Sequence, residues 1–199
     1  MGDWRGRMRL AVLCSGNGSN FENIVRVCDQ DQVVLMIHNK RECGAAKRAD
    51  KLGIPHCCIK IKDEDQIIQL LQAWRVDIVV LAGWMRVISS DFIKAFPKTI
   101  INIHPSLLPK HKGLHAVQQA IDSKESHTGC SVHYVTEELD SGEVICQSRE
   151  IPIRSDDTTE TLARRIQKEE HRILPMAIEH VKHEVQTRTY RYLLSDEDH

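Results

Sequence analysis

The run Ile78-Val79-Val80-Leu81 constrains this chain more than any other feature. A half-exposed strand alternates apolar and polar positions, so an unbroken aliphatic run belongs to a strand buried on both faces, as in a parallel sheet covered by helices. The surrounding residues carry the matching pattern. Short β-branched runs at 10–14, 33–38 and 54–59 alternate with helix-like stretches at 21–28, 45–52 and 64–74, and a further strand is expected at 99–103. Such alternation specifies an α/β fold with a mostly parallel central sheet flanked by helices.

Beyond Pro109 the pattern changes. A loop and helix are expected through Ala120, then strands at 131–135 and 144–150 separated by the turn-rich Thr136-Glu137-Glu138-Leu139-Asp140-Ser141-Gly142. Ser155-Asp156-Asp157 supplies an N-cap and first-turn acids for a helix to about Val181, which Pro175 is expected to kink or divide. At 199 residues, with no internal repeat or low-complexity linker, one domain is expected.

A formal net charge of -1 gives no general attraction to nucleic acid or anionic membranes, so any phosphate must be bound locally. No apolar run approaches the ~20 residues of a membrane helix, and the first seven residues lack a signal peptide's apolar stretch. The seven cysteines are scattered without a C-x-x-C spacing, which reads as reduced thiols in a cytoplasmic protein. His56-Cys57-Cys58 is not read as a metal site, because neighbours on a strand point to opposite faces.

Three segments carry chemistry. Ser15-Gly16-Asn17-Gly18-Ser19-Asn20 joins the first strand to the first helix, where free backbone N–H groups and the helix dipole favour an anion. Phe21 stands where a dinucleotide fingerprint needs glycine, and no Lys-Ser/Thr completes a P-loop; a monophosphate is the expected guest. Asn102 and His104 lie two apart at the carboxyl end of a buried strand, and so share a face where open α/β sheets place ligands. An amide and a titratable imidazole there can stabilise an oxyanion and move a proton. Asp140 lies in a turn sequence; beside His104 it would favour the imidazolium.

These segments, with Val79-Val80-Leu81-Ala82-Gly83-Trp84-Met85-Arg86, Asn102-Ile103-His104-Pro105-Ser106-Leu107-Leu108-Pro109, Lys112-Gly113-Leu114-His115, Ser131-Val132-His133-Tyr134-Val135-Thr136 and Glu138-Leu139-Asp140-Ser141-Gly142, resemble the folate-dependent glycinamide ribonucleotide formyltransferases from about Met8 to Glu179. The resemblance implies a Rossmann-like formyltransferase fold with an antiparallel extension to the sheet. It implies direct transfer of the formyl group of 10-formyltetrahydrofolate, a co-substrate, to the amine of glycinamide ribonucleotide in purine synthesis, without a metal. By that likeness Asn102 holds the oxyanion, His104 donates the proton, and Asp140 raises the histidine's pKa and relays protons through water. Gly18, Ser19 and Asn20 would hold the substrate phosphate, with Glu170 and Gln167 at its ribose. The pterin would lie against Met85, Arg86, Val87 and Ile88 near Asn102, with Val135 and the Leu139-Asp140 loop closing over it.

The stretch from Ile59 to Leu70 looks shorter than the family norm, leaving Lys62 as the candidate basic contact to folate. His111, His115 and His133 resemble family positions near the centre and are read as hydrogen-bonded support. The implied organisation is an unassigned extension at 1–7, a formyltransferase domain at 8–183 and a tail at 184–199, acting as a monomer or homodimer. Methionyl-tRNA formyltransferase shares the Asn, His and Asp set, but the glycine loop suits a small phosphate, no further RNA domain is expected, and the charge gives no basic footprint. Formyltetrahydrofolate hydrolase would carry an N-terminal regulatory domain for which the chain has no room. A non-catalytic folate or nucleotide module would not need a proton donor beside an oxyanion site.

Overall fold

The computed structural model describes residues 7–28, 32–60 and 63–195, with side chains described through residue 189. Strands β1 (Leu10–Leu13), β2 (Val33–His38), β3 (His56–Cys58), β4 (Ile78–Leu81) and β5 (Ile100–His104) form the parallel part of a seven-stranded sheet. A two-stranded ribbon of β6 (His127–Thr128) and β9 (Ile151–Pro152) stands apart, while β7 (Ser131–Tyr134) and β8 (Val144–Gln147) extend the main sheet antiparallel. The order is β3-β2-β1-β4-β5-β7-β8, with the strand 78–81 central as its apolar run requires.

Period-2 alternation divides each strand between two cores. Leu10 and Val12 face α1 (Ser19–Val27), α2 (Gly44–Leu52) and the long α6 (Thr159–Ser195), meeting Phe21, Ala45, Leu162 and Ile173. Ala11 and Leu13 face α3 (Glu64–Ala73) and α4 (Ser90–Ala95), meeting Ile67, Leu71 and Phe92. The short α5 (Ala116–Asp122) follows the loop that leaves β5. The result is helix, sheet, helix, with the carboxyl ends of β1, β4 and β5 gathered on one edge.

The segment 83–98, for which no element was expected, contains α4, started by the Ser89 hydroxyl accepting from Phe92 N–H at 3.2 Å. Three local expectations change. The stretch 144–150 is strand only to Gln147, and the chain re-enters strand structure as β9. The N-cap of α6 is Thr158 rather than Ser155, because Thr158 and Thr161 exchange hydrogen bonds in both directions between backbone N–H and hydroxyl.

The helix also neither divides at Pro175 nor stops near Val181; it continues to Ser195 across the expected tail. Proline removes the N–H that would satisfy the carbonyl of His171, four residues earlier. The Asn23 side-chain amide fills that carbonyl instead, at 2.7 Å.

Candidate active site

The β1–α1 loop is set for close backbone approach. Gly18 adopts φ 76° as the cap residue of α1, and a Cβ there would stand 2.6 Å from the Ala45 Cα. Only glycine combines that conformation with that proximity. No side chain caps this end of α1, so its first amides point outward as donors. Ser19 Oγ accepts from Gln167 Nε2 at 2.7 Å, and Asn20 Nδ2 donates to Glu170 Oε2 at 2.8 Å, so α6 lies directly against the loop. Burial raises the Glu170 carboxyl above its ordinary range, opposed by the bond from Asn20. Asn20 Oδ1 is buried without a hydrogen-bond partner, an acceptor facing this junction.

His104 lies against Asp140, and Asn102 reaches the same cluster through His133. His104 Nδ1 lies 3.4 Å from Asp140 Oδ2, and both residues are buried, at 5% and 9% exposure. Asp140 holds φ 49° and accepts from Gly113 N–H at 2.8 Å. Its turn is pressed onto β7: a Cβ on Gly142 would fall 1.8 Å from the Tyr134 carbonyl oxygen. That close approach, rather than motion, is the reason for glycine at 142.

Two further histidines complete the cluster. Antiparallel pairing sets His133 opposite Asn102, and His133 Nε2 lies 3.2 Å from the Asn102 amide nitrogen and 3.4 Å from Asp140 Oδ1. Its Nδ1 is 2.8 Å from the Tyr134 carbonyl, which can only accept, so Nδ1 carries a hydrogen and Nε2 is the edge turned to the Asn102 amide and Asp140. His104 Nε2 similarly donates to the His111 carbonyl at 2.8 Å. His115 instead stands at the start of α5 with φ 63°. A cross-strand partner such as His133 is readable once β5 and β7 are aligned; the His111 contact is made by backbone and leaves no side-chain signal.

Asp140 pulls the His104 pKa upward, but a larger influence opposes it. Burial is the largest influence on His104 and lowers its pKa below the ordinary value; the His111 carbonyl and Asp140 pull upward, and the neighbouring His133 and His111 push down. The net direction is downward. Burial alone would raise Asp140, yet the contact with His133, the bond from Gly113 N–H and the nearness of the His104 ring leave it below the ordinary carboxylate range. Burial thus favours the neutral His104 imidazole, while its neighbours favour the Asp140 carboxylate.

Beyond β4, Met85, Arg86 and Val87 are exposed while Ile88 is buried. The Met85 N–H donates to Ser15 Oγ at 3.3 Å, tying this segment to the glycine loop. Because Leu81 pairs with Asn102, the segment leaves the sheet beside the Asn102 and His104 strand. Leu114 and Leu139 add exposed apolar surface, with Leu139 against Gly113. Exposed apolar groups beside a polar centre offer a surface on which a flat ring can lie. Lys62 lies outside the described residues.

A doubly wound sheet with an amide, imidazole and carboxylate at its carboxyl edge defines a group-transfer site on a nucleotide-type fold, and residues 8–178 match the Formyl transferase family, to which the chain belongs. Its particular likeness is to phosphoribosylglycinamide formyltransferases. It is 36% identical to that enzyme of Escherichia coli (strain K12) over 86% of this chain and 85% of the relative. The crystal structure of phosphoribosylglycinamide formyltransferase from Streptococcus pneumoniae TIGR4 superposes with TM-score 0.82 at 30% identity, covering 87% of this chain and 98% of that one. Glycinamide ribonucleotide transformylase 1 from Symbiobacterium toebii gives 0.83 at 38% identity, covering 87% of each chain. The Drosophila melanogaster trifunctional purine biosynthetic protein adenosine-3 is 41% identical over 86% of this chain, which spans 14% of that protein's length.

Proposed function

We propose that the chain transfers the formyl group of 10-formyltetrahydrofolate to the amine of glycinamide ribonucleotide, in the cytoplasm, as a monomer or homodimer with its catalytic unit in 8–183. The observation that carries this is the cluster of half-buried Asn102 with buried His104 and Asp140, 3.4 Å between imidazole and carboxylate, on the same sheet edge as an anion-ready glycine loop.

The acceptor's phosphate meets the outward amides at Gly18, Ser19 and Asn20, and its ribose hydroxyls meet Gln167 and Glu170. The pterin of the donor lies along Met85, Arg86, Val87 and Ile88; Lys62 is the proposed basic contact further along the folate.

The amine attacks the formyl carbon, forming a C–N bond while the carbonyl π-electrons move to oxygen. Asn102 spends one amide N–H on His133 Nε2, leaving the second for that oxyanion. His104 Nε2 is committed to the His111 carbonyl at 2.8 Å, so the longer contact at Nδ1, 3.4 Å from Asp140, is the working edge. A neutral His104 takes the proton lost by the amine, Asp140 stabilises the imidazolium, and the proton passes to N10 as its bond to the formyl carbon breaks. Products are formylglycinamide ribonucleotide and tetrahydrofolate, with atoms and charge balanced.

Incubation of the protein with both substrates is expected to yield formylated ribonucleotide and tetrahydrofolate in equal amounts. No product from wild type, or an undiminished rate in His104→Ala, overturns the proposal. Methionyl-tRNA, or water alone as acceptor, is expected to give no turnover.

A further inference from the structure

The loop leaving β5 contains a second ionic cluster that faces away from Asp140. His111 Nε2 lies 3.2 Å from Glu125 Oε1, and Lys110 Nζ donates to Glu125 Oε2 at 2.9 Å. The Lys110 carbonyl accepts from Ser106 Oγ at 2.5 Å, which ties the same turn back to the residue two beyond His104. The His111 side chain is 12% exposed and that of Glu125 25%.

His111 is in the left-handed region, φ 52°. A residue with a Cβ is strained there and stays only where its surroundings hold it. The imidazole contact to Glu125 supplies that hold. What is held is a peptide plane whose carbonyl receives the Nε2–H of His104 at 2.8 Å. The partner of one ring nitrogen fixes which nitrogen of a histidine carries hydrogen and how the ring points.

We propose that Glu125 is a positioning residue of the transfer reaction, acting through His111 to hold the carbonyl that fixes the tautomer and ring orientation of His104. The proposal rests on the formyl-transfer reading. Glu125 reaches His104 without touching substrate: carboxylate to imidazole, backbone carbonyl to catalytic ring. It keeps Nδ1 turned to Asp140, the edge at which the proton moves. Glu125 and His111 also line a cavity of about 450 Å³ with Leu107, Pro109 and Thr128, so truncation at 125 opens onto existing space rather than into the packed core.

The test is Glu125→Ala in the full chain. The expected result is a fall of about tenfold in kcat with KM for both substrates within about twofold, because a small misplacement of a catalytic group costs rate before it costs binding. Glu125→Gln, which keeps an acceptor oxygen for His111, is expected to restore most of the loss. His111→Gly keeps the carbonyl and suits the left-handed backbone but lacks the clamp; it should lose as much as Glu125→Ala, and the double variant no more than either. Nitrogen-15 spectra of the His104 ring should show hydrogen on Nε2 in wild type and a mixture of tautomers in Glu125→Ala.

Unchanged kcat, an unchanged His104 tautomer, or equal losses in the Ala and Gln variants overturns the proposal. A wild-type protein that makes no formylated product overturns the formyl-transfer reading instead, while the ring spectra still report on the clamp. If Glu125→Ala fails to fold, His111→Gly alone decides through the same kcat and spectral measurements.

Discussion

His104 sits between opposing influences, and their signs determine its pH behaviour. Burial lowers its pKa and wins; the negative Asp140 pulls it upward. In Asp140→Asn the upward pull is lost while a side-chain oxygen remains for Gly113 N–H, so the His104 pKa falls further. If neutral His104 is the active form, activity is present above its pKa and lost as pH falls through it. The acid limb of kcat/KM is therefore expected to move to lower pH in Asp140→Asn, alongside a lower plateau from loss of the imidazolium's partner. A pH–rate profile of the two proteins checks this, and a limb moving to higher pH defeats the assignment. Asn102→Ala removes the oxyanion donor and should cost about 10²–10³ in kcat with a smaller change in KM. It also strips His133 Nε2 of its amide partner, so steady-state kinetics need to be read beside a thermal melt.

At the scale of elements, α6 shows how a helix survives an internal proline. Pro175 leaves the His171 carbonyl without its usual donor, and Asn23 on α1 provides one. Asn23→Ala is expected to cost about 1–3 kcal/mol, the range for a buried acceptor left unpaired. For a chain of this size that corresponds to roughly 2–4 °C in Tm per kcal/mol. Adding Pro175→Ala restores a backbone N–H for the same carbonyl, so the double variant should melt above Asn23→Ala. A melt in which the second substitution gives no recovery would mean that the amide is not the carbonyl's substitute partner.

The same elements show which parts of the fold sequence could specify. Strands β1 and β4 were legible because residues buried on both faces must be apolar without interruption, and β2 and β5 from β-branched runs at their places in the strand–helix alternation. Asn102 and His104 were legible from their spacing on such a strand, and Asp140 through the likeness of whole motifs. The extent of α6 was not, because a rule about proline cannot know that Asn23, 148 positions away from His171, supplies a donor. Nor were the left-handed backbones of His111, His115 and Asp140, since nothing marks a non-glycine residue for positive φ until tertiary contacts hold it there. Helix α4 and the β6–β9 ribbon were too short to leave a period.

Across the whole molecule, α6 connects two regions that do different things. Its first half carries Gln167 and Glu170 to the glycine loop at the carboxyl edge of the sheet. Its second half crosses to the opposite edge, where Val181 is fully buried and Val185 packs on the core. There Tyr134 donates to Glu184, and Arg188 donates to the Lys98 carbonyl just ahead of β5. Those contacts lie at the amino end of β5, a strand's length from His104, and none of them involves Asn102, His104 or Asp140. Ending the chain at residue 183 should therefore remove stability without removing function. Losing the hydrogen bond to Glu184 and the Val185 contact is expected to cost about 1–3 kcal/mol. Well below the lowered Tm, kcat and both KM values should stay within about twofold of wild type, since a rigid sheet separates the two edges. Thermal unfolding followed by circular dichroism, with kinetics at a temperature where both forms are folded, separates the two effects. A tenfold loss of kcat in a fully folded truncated chain would instead make the far half of α6 part of the machinery that holds Gln167 and Glu170 against the loop.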